Sequence, residues 1–180
     1  MEQNILKKNI WNAAGVAGLT LGAVSTAYMF ATQYLGTVEI SAILSSVLTL
    51  LLWCAKFGGC IWLMAFFMKR FAAQNPTADN KSIFHMGALI ALLSAFVFSG
   101  ATLANVTLIS AELFNAQYQA LIQQMAPAMD SNSMNMVDKV IEKMPYITFF
   151  SNLIYCSVYG TVLSSILSRN IWNTQKTFQS

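Results

Sequence analysis

The sequence predicts an all-α membrane protein: a four-helix transmembrane bundle with an outer amphipathic helical hairpin between spans three and four. Three observations carry that expectation. Hydrophobic residues make up 56% of the 180-residue chain and charged residues only 9%, whereas a soluble domain carries about 25% charged residues. A chain so poor in charge cannot cover its surface with groups that water solvates, and lipid is the solvent that fits. Four apolar stretches follow one another, at about 11–34, 40–68, 83–108 and 146–167. Each supplies the ~20 mostly apolar residues that cross ~30 Å of hydrocarbon. The third observation is the segment 109–145, the only connection large enough to form structure of its own. The whole chain, 1–180, reads as a single transmembrane domain.

The first span follows Lys7 and Lys8, and Ser25-Thr26-Ala27 within it resembles a signal-cleavage site. Its apolar run continues through Tyr34, longer than the roughly 7–15 residues of a signal-peptide core, so a retained span is expected. The second span is the longest and has room to tilt or project. Residues 69–82 form a loop with the turn formers Asn75-Pro76-Thr77-Ala78-Asp79-Asn80. Small residues recur four apart at Ala14, Gly18 and Gly22, at Gly87, Ala91 and Ala95, and at Gly160 and Ser164. Such smooth faces let helix backbones approach closely, and packing within the chain is the expected use.

Within 109–145, Phe114, Tyr118, Leu121, Ile122 and Met125 form one helical stripe, and Met134, Val137, Val140, Ile141 and Met144 a second. Ser133 is placed to cap the second helix and Pro145 to end or kink it. The two apolar faces pack together or lie on the lipid surface. The hairpin serves as a connection, or as a lid or partner-binding surface, since Met-rich faces adapt to varied shapes.

Basic residues set the orientation. Lys7, Lys8, Lys69, Arg70, Lys81, Arg169 and Lys176 share one side, and Lys139 and Lys143 lie on the other. Cytoplasmic segments collect Lys and Arg, so both termini are expected in the cytoplasm. The tetrapeptide Asn-Ile-Trp-Asn occurs at 9–12 and again at 170–173. Each copy follows a basic residue at a span end, where tryptophan anchors at the headgroup level.

Little catalytic chemistry is visible, and no enzymatic activity is expected. Cys54, Cys60 and Cys156 lie within spans and read as small apolar residues. His85 is the only histidine and lacks further ligands for a metal. No carboxylate lies deep in a span, and neither a Ser/His/Asp arrangement nor a phosphate-binding loop is present. No cofactor is implied. A net charge of +3, without basic runs interleaved with aromatics, gives no footprint for nucleic acid. Asn105-Val106-Thr107 matches a glycosylation acceptor but lies inside the third span.

Lys56 stands apart, near the middle of the second span and thirteen residues from Lys69. At ~1.5 Å per residue that is ~20 Å from either interface. An ionisable group at that depth costs at least ~2.5–3.5 kcal/mol and marks a bundle interior, a wet cavity or a partner. Thr49, Leu52, Trp53, Gly59, Cys60 and Leu63 share its helix face, and Gly58-Gly59 beside it is the only hint of a broken helix. At the same depth the other spans offer Ser25, Thr26, Ser94, Tyr155, Ser157 and Tyr159. Lys56 is therefore the candidate intramembrane functional residue.

The chain as a whole resembles an uncharacterised bacterial family of four-span membrane proteins, domain of unknown function 4199. The likeness lies in the first span Gly15-Val16-Ala17-Gly18-Leu19-Thr20-Leu21-Gly22 and in Met68-Lys69-Arg70-Phe71 at the end of the second. Ser82-Ile83-Phe84-His85-Met86-Gly87 opening the third and Gly160-Thr161-Val162-Leu163-Ser164-Ser165-Ile166 in the last complete it. Members often carry a carboxylate where this chain has His85-Met86. The resemblance implies a bacterial inner membrane and, through neighbouring glycosyltransferase genes, envelope glycan or lipid-linked sugar work. It brings no functional residues with it.

Three roles are then open. One is a non-catalytic accessory or assembly subunit of a cell-envelope complex, with a membrane-protein partner. Another is a small transporter or lipid-binding protein using Lys56 in an intramembrane cavity. An intramembrane enzyme is the third, and no acid, base or nucleophile set supports it.

Overall fold

A computed structural model describes residues 2–38, 41–125 and 131–179. They form α1 (Glu2–Leu35), α2 (Ala42–Gln74), α3 (Asn80–Ala104), a π-helical turn (Asn105–Ile109), α4 (Ala111–Met125) and α5 (Ser131–Gln179). No strand occurs among the described residues. Four segments are long and apolar enough to cross a membrane: Leu6–Leu35, Ile43–Gln74, Asn80–Ile109 and Met136–Thr174. Each overlaps one of the four expected spans but has its own bounds: the last runs well past 146–167 at both ends, and helix takes up 69–74 and 80–82 of the expected loop. The chain is an all-α, multi-pass membrane bundle.

The helix ends follow local chemistry. Ser41 caps α2 by accepting from the Leu44 N–H at 3.4 Å. At the other end Asn75 donates twice to the Phe71 carbonyl, from its backbone at 3.0 Å and its side chain at 2.9 Å. Pro76 follows, with no N–H to continue the ladder. Asp79 caps α3, accepting from the backbone N–H of Ser82 at 2.9 Å and its hydroxyl at 2.7 Å. These bonds hold the Asp79 carboxyl below the usual carboxylate range.

Helix α3 lies between α1 and α5 and makes the closest contacts of the bundle with both. The predicted small-residue faces produce them. A Cβ added at Gly18 would stand 2.6 Å from the Leu93 Cβ, and one at Gly22 2.7 Å from the Val97 Cβ. On the other flank, a Cβ on Gly160 would stand 2.5 Å from that of Ala91, and one on Gly87 would collide with Ser164. Ser164 also donates to the Phe84 carbonyl of α3 at 3.0 Å. Helix α2 covers this layer. Its Met64, Met68, Phe71 and Ala72 join Ile10, Ala14, Ile83, Met86 and Ile171 in one buried cluster. Ile10 and Ile171 belong to the two Asn-Ile-Trp-Asn copies, so both termini meet at one end of the bundle. Most of the basic residues lie at that end, called the basic end below.

Three expectations need correction. Pro145 neither ends nor starts a helix: it lies inside α5, which runs unbroken for 49 residues. Proline removes one ladder bond, but the flanking Lys143-Met144 and Tyr146-Ile147 offer no glycine or turn former as an exit. Membrane helices tolerate proline where neighbours satisfy the freed groups. Gly58-Gly59 does not break α2, which is continuous from Ala42 to Gln74. Finally, of the two arrangements expected for the outer hairpin, mutual packing of its arms is not seen among the described residues, and faces open to the lipid surface remain. α4 has no buried residue, and Leu121 and Met125 of its stripe are exposed. The second arm is simply the projecting part of α5; Ser133, its expected cap, is already helical.

Candidate functional site

Lys56 points from α2 into the bundle, as its helix face predicts, and is half-buried. Its amine meets aromatic faces rather than a carboxylate. The Nζ atom lies 4.7 Å from the ring centre of Tyr28 on α1, 5.0 Å from that of Phe98 on α3 and 5.7 Å from that of Phe57 on its own helix. The face of an aromatic ring carries negative potential and attracts an ammonium by about 0.5–2 kcal/mol, most where water is excluded. Three rings from three helices thus supply, in part, the stabilisation that no acid provides.

Beside the amine is a cavity of about 110 Å³. Ser25 of α1, Cys60 of α2, Ser94 of α3 and Tyr155, Cys156 and Tyr159 of α5 contribute its polar atoms. Ser25 Oγ and Cys60 Sγ are 3.9 Å apart, and Ser94 donates to the Ala91 carbonyl at 3.0 Å. Of the hydroxyls placed by sequence at the depth of Lys56, the structure brings Ser25, Ser94, Tyr155 and Tyr159 to the cavity. Thr26 instead donates to the Gly22 carbonyl at 2.9 Å, and Ser157 lines a different groove. Cys54 is exposed, whereas Cys60 and Cys156 are partly buried free thiols.

The arrangement can hold a few waters or a single anionic oxygen. Small-molecule sites occupy about 300–1,000 Å³, several times this volume. Among the described residues no cluster of His, Cys, Asp or Glu could hold a metal. His85, the other titratable candidate near a span, lies in a separate groove.

The rest of the Lys56 face is less enclosed than the sequence suggests. Thr49 and Trp53 are exposed. A Cβ on Gly58 or Gly59 would meet nothing within 4 Å, so Gly59 does not seat a helix of this chain. Toward the far end α2 presents Ile43, Leu44, Val47, Leu50 and Leu51 outward, with the hydroxyls of Ser45 and Thr49 among them. Only 6% of its most apolar stretch is buried, against 33% for the third span.

A second polar cluster, which sequence reasoning missed, closes the far end. Asn105 is buried and donates to Gln33 Oε1 at 2.9 Å. Gln33 donates to Ser110 Oγ at 2.7 Å, and Ser110 donates back to Asn105 Oδ1 at 3.0 Å. The ring ties α1 to the π-helical turn and satisfies groups that hydrocarbon would leave unpaired. A polar Asn inside an apolar span was the available signal, read only as an accidental glycosylation motif.

Comparison with family models, with curated proteins and with solved structures finds no match.

Proposed function

We propose that this chain is a non-catalytic accessory or assembly subunit of a cell-envelope complex, placed in a bacterial inner membrane with both termini cytoplasmic. Helix α2 is the element that meets a transmembrane partner. The observation that supports this reading is the open face of α2, where Gly58 and Gly59 look onto empty space. Lipid tails need no such face, whereas small residues let a partner backbone approach, and nearby hydroxyls can bond across helices. Lys56 lies one helical turn from Gly59, at the bundle-side edge of that face. The small transporter or lipid-binding alternative has less support, because a cavity of about 110 Å³ has no room for a solute of ordinary size.

The test is purification of the tagged full-length chain in mild detergent, with mass spectrometry of whatever stays bound. A stoichiometric membrane protein is expected. Gly59→Leu should release it without lowering the chain's own melting temperature, and Lys56→Met should weaken its recovery. An anionic solute or lipid retained through Lys56, with no protein partner, would overturn this reading in favour of the alternative. Topology is checked separately. Reporter fusions after Gln74 and Ser180 should read cytoplasm, and one near Asn132 the opposite side.

A further inference from the structure

A groove of about 630 Å³ runs along the bundle with α3 as its floor and α1 and α5 as its walls. It shares no lining residue with the Lys56 cavity. Its composition changes with depth. Lys7 and Trp11 of α1 and His85 of α3 line one end, while Leu89 and Leu92 continue the floor and Thr161 stands on the α5 wall.

The packing register fixes the levels. Gly18 abuts Leu93 and Gly22 abuts Val97, so α1 and α3 run parallel. The same offset sets Trp11 level with His85–Met86 and Lys7 about one helical turn nearer the basic end. Leu89 and Leu92 lie about 6 and 10 Å deeper than His85 at ~1.5 Å per residue. The groove therefore has a mouth of N–H donors and positive charge at headgroup level, and an apolar body below it.

We propose that this groove binds an anionic phospholipid of the leaflet at the basic end. The phosphate sits between Lys7 and His85, the Trp11 N–H reaches the glycerol level, and an acyl chain lies along Leu89 and Leu92. Charge complementarity selects the occupant. Among the described residues no carboxylate lines the groove, so its mouth is positively charged, and basic pockets between transmembrane helices suit acidic headgroups. A zwitterionic lipid brings its own ammonium, which repels the lysine. A histidine ring donates an N–H in either protonation state, and Lys7 supplies the fixed charge. Trp11 is 59% exposed, which fits a side chain that contacts lipid rather than core.

The test uses the full-length protein in phosphatidylcholine nanodiscs containing phosphatidylglycerol or, in a matched set, phosphatidylethanolamine. Lipids that remain bound after gentle release are counted by native mass spectrometry. The parent should retain phosphatidylglycerol preferentially. The double variant Lys7→Gln/His85→Gln should lose about fivefold or more of that preference. The control Lys8→Gln/Lys81→Gln, which removes two charges from the same end outside the groove, should keep it. Leu92→Trp fills the apolar body without touching the charges and should also lower retention. All five positions are exposed, so these variants leave the core intact. An unenriched parent, equal losses in the two double variants, or full retention in Leu92→Trp would each overturn the proposal.

Discussion

Along α3 a Cβ added at Gly87 would run into Ser164, while along α2 a Cβ at Gly58 or Gly59 would meet nothing within 4 Å. The two regions use the same residue toward different ends. In the α1–α3–α5 layer glycine removes side-chain volume so that two backbones of one chain can touch, and the contact is filled. On α2 the volume is removed and left open. What separates them is the neighbour supplied by the chain itself. Glycine in a helix interior is destabilising by roughly 0.5–1 kcal/mol relative to alanine. The layer offsets that cost through dispersion contacts at the seam, and the open face of α2 has no such return within this chain.

The contrast can be broken by substitution. Gly160→Val should lower bundle stability by about 2–3 kcal/mol, since its new atoms must displace Ala91. Gly58→Val should stay within about 0.5 kcal/mol of the parent, as substitutions without neighbours do. Thermal unfolding in detergent compares them, and equal losses would mean that the two seams are packed alike. Asn105→Leu tests whether the far end has a polar closure in place of a seam. It leaves Gln33 and Ser110 each short of a partner and should cost about 1–3 kcal/mol.

A smaller effect is expected at the basic end. Asp79→Ala removes the cap of α3 and should cost about 1 kcal/mol. The sign of its pH dependence follows from the bonds to Ser82. The folded carboxyl titrates below its ordinary value, so the cap stabilises fully above the unfolded value, near pH 4. It is lost as pH falls through the lower, folded value. A parent-minus-variant difference that grew on acidification would contradict this. Lys56→Met is expected to act in the opposite direction. It forfeits cation–ring attraction of about 0.5–2 kcal/mol and removes an insertion penalty of about 2.5–3.5 kcal/mol. The net expectation is a protein at least as stable as the parent, measured in the same melts. A marked loss would show that Lys56 supports the bundle itself.

Hydropathy made the four spans legible because length and composition alone decide whether a helix can replace water with lipid. The inward direction of Lys56 was legible from its depth, and the α1–α3–α5 seams from small residues four apart. The ring faces around Lys56 were not, although Tyr28 and Phe98 lie at the right depth on their spans. Matching only hydroxyls and acids to a buried amine overlooks the ring as a partner for charge. Gly59 shows that room exists on the Lys56 face, but spacing does not show who fills it. Pro145 could end or kink a helix by sequence, and nothing local reports that helix continues strongly on both sides. The Asn105–Gln33–Ser110 ring joins residues more than seventy positions apart, beyond the reach of any periodicity.

Helix α5 holds 49 residues, which at ~1.5 Å per residue make a rod of roughly 74 Å in a membrane whose hydrocarbon is ~30 Å thick. The arm between Ser131 and Pro145 accounts for roughly 20 Å of it and stands beyond the far end of the bundle. A rod of this kind is a lever. A sideways load on the arm is carried along α5 toward Ser164 and Ile171, where the rod is clamped in the core. Pro145 lacks the N–H that would bond the carbonyl of Ile141, so the ladder is weakest there and bending concentrates at that point. Any bending of the arm relative to the clamped half therefore falls at this joint.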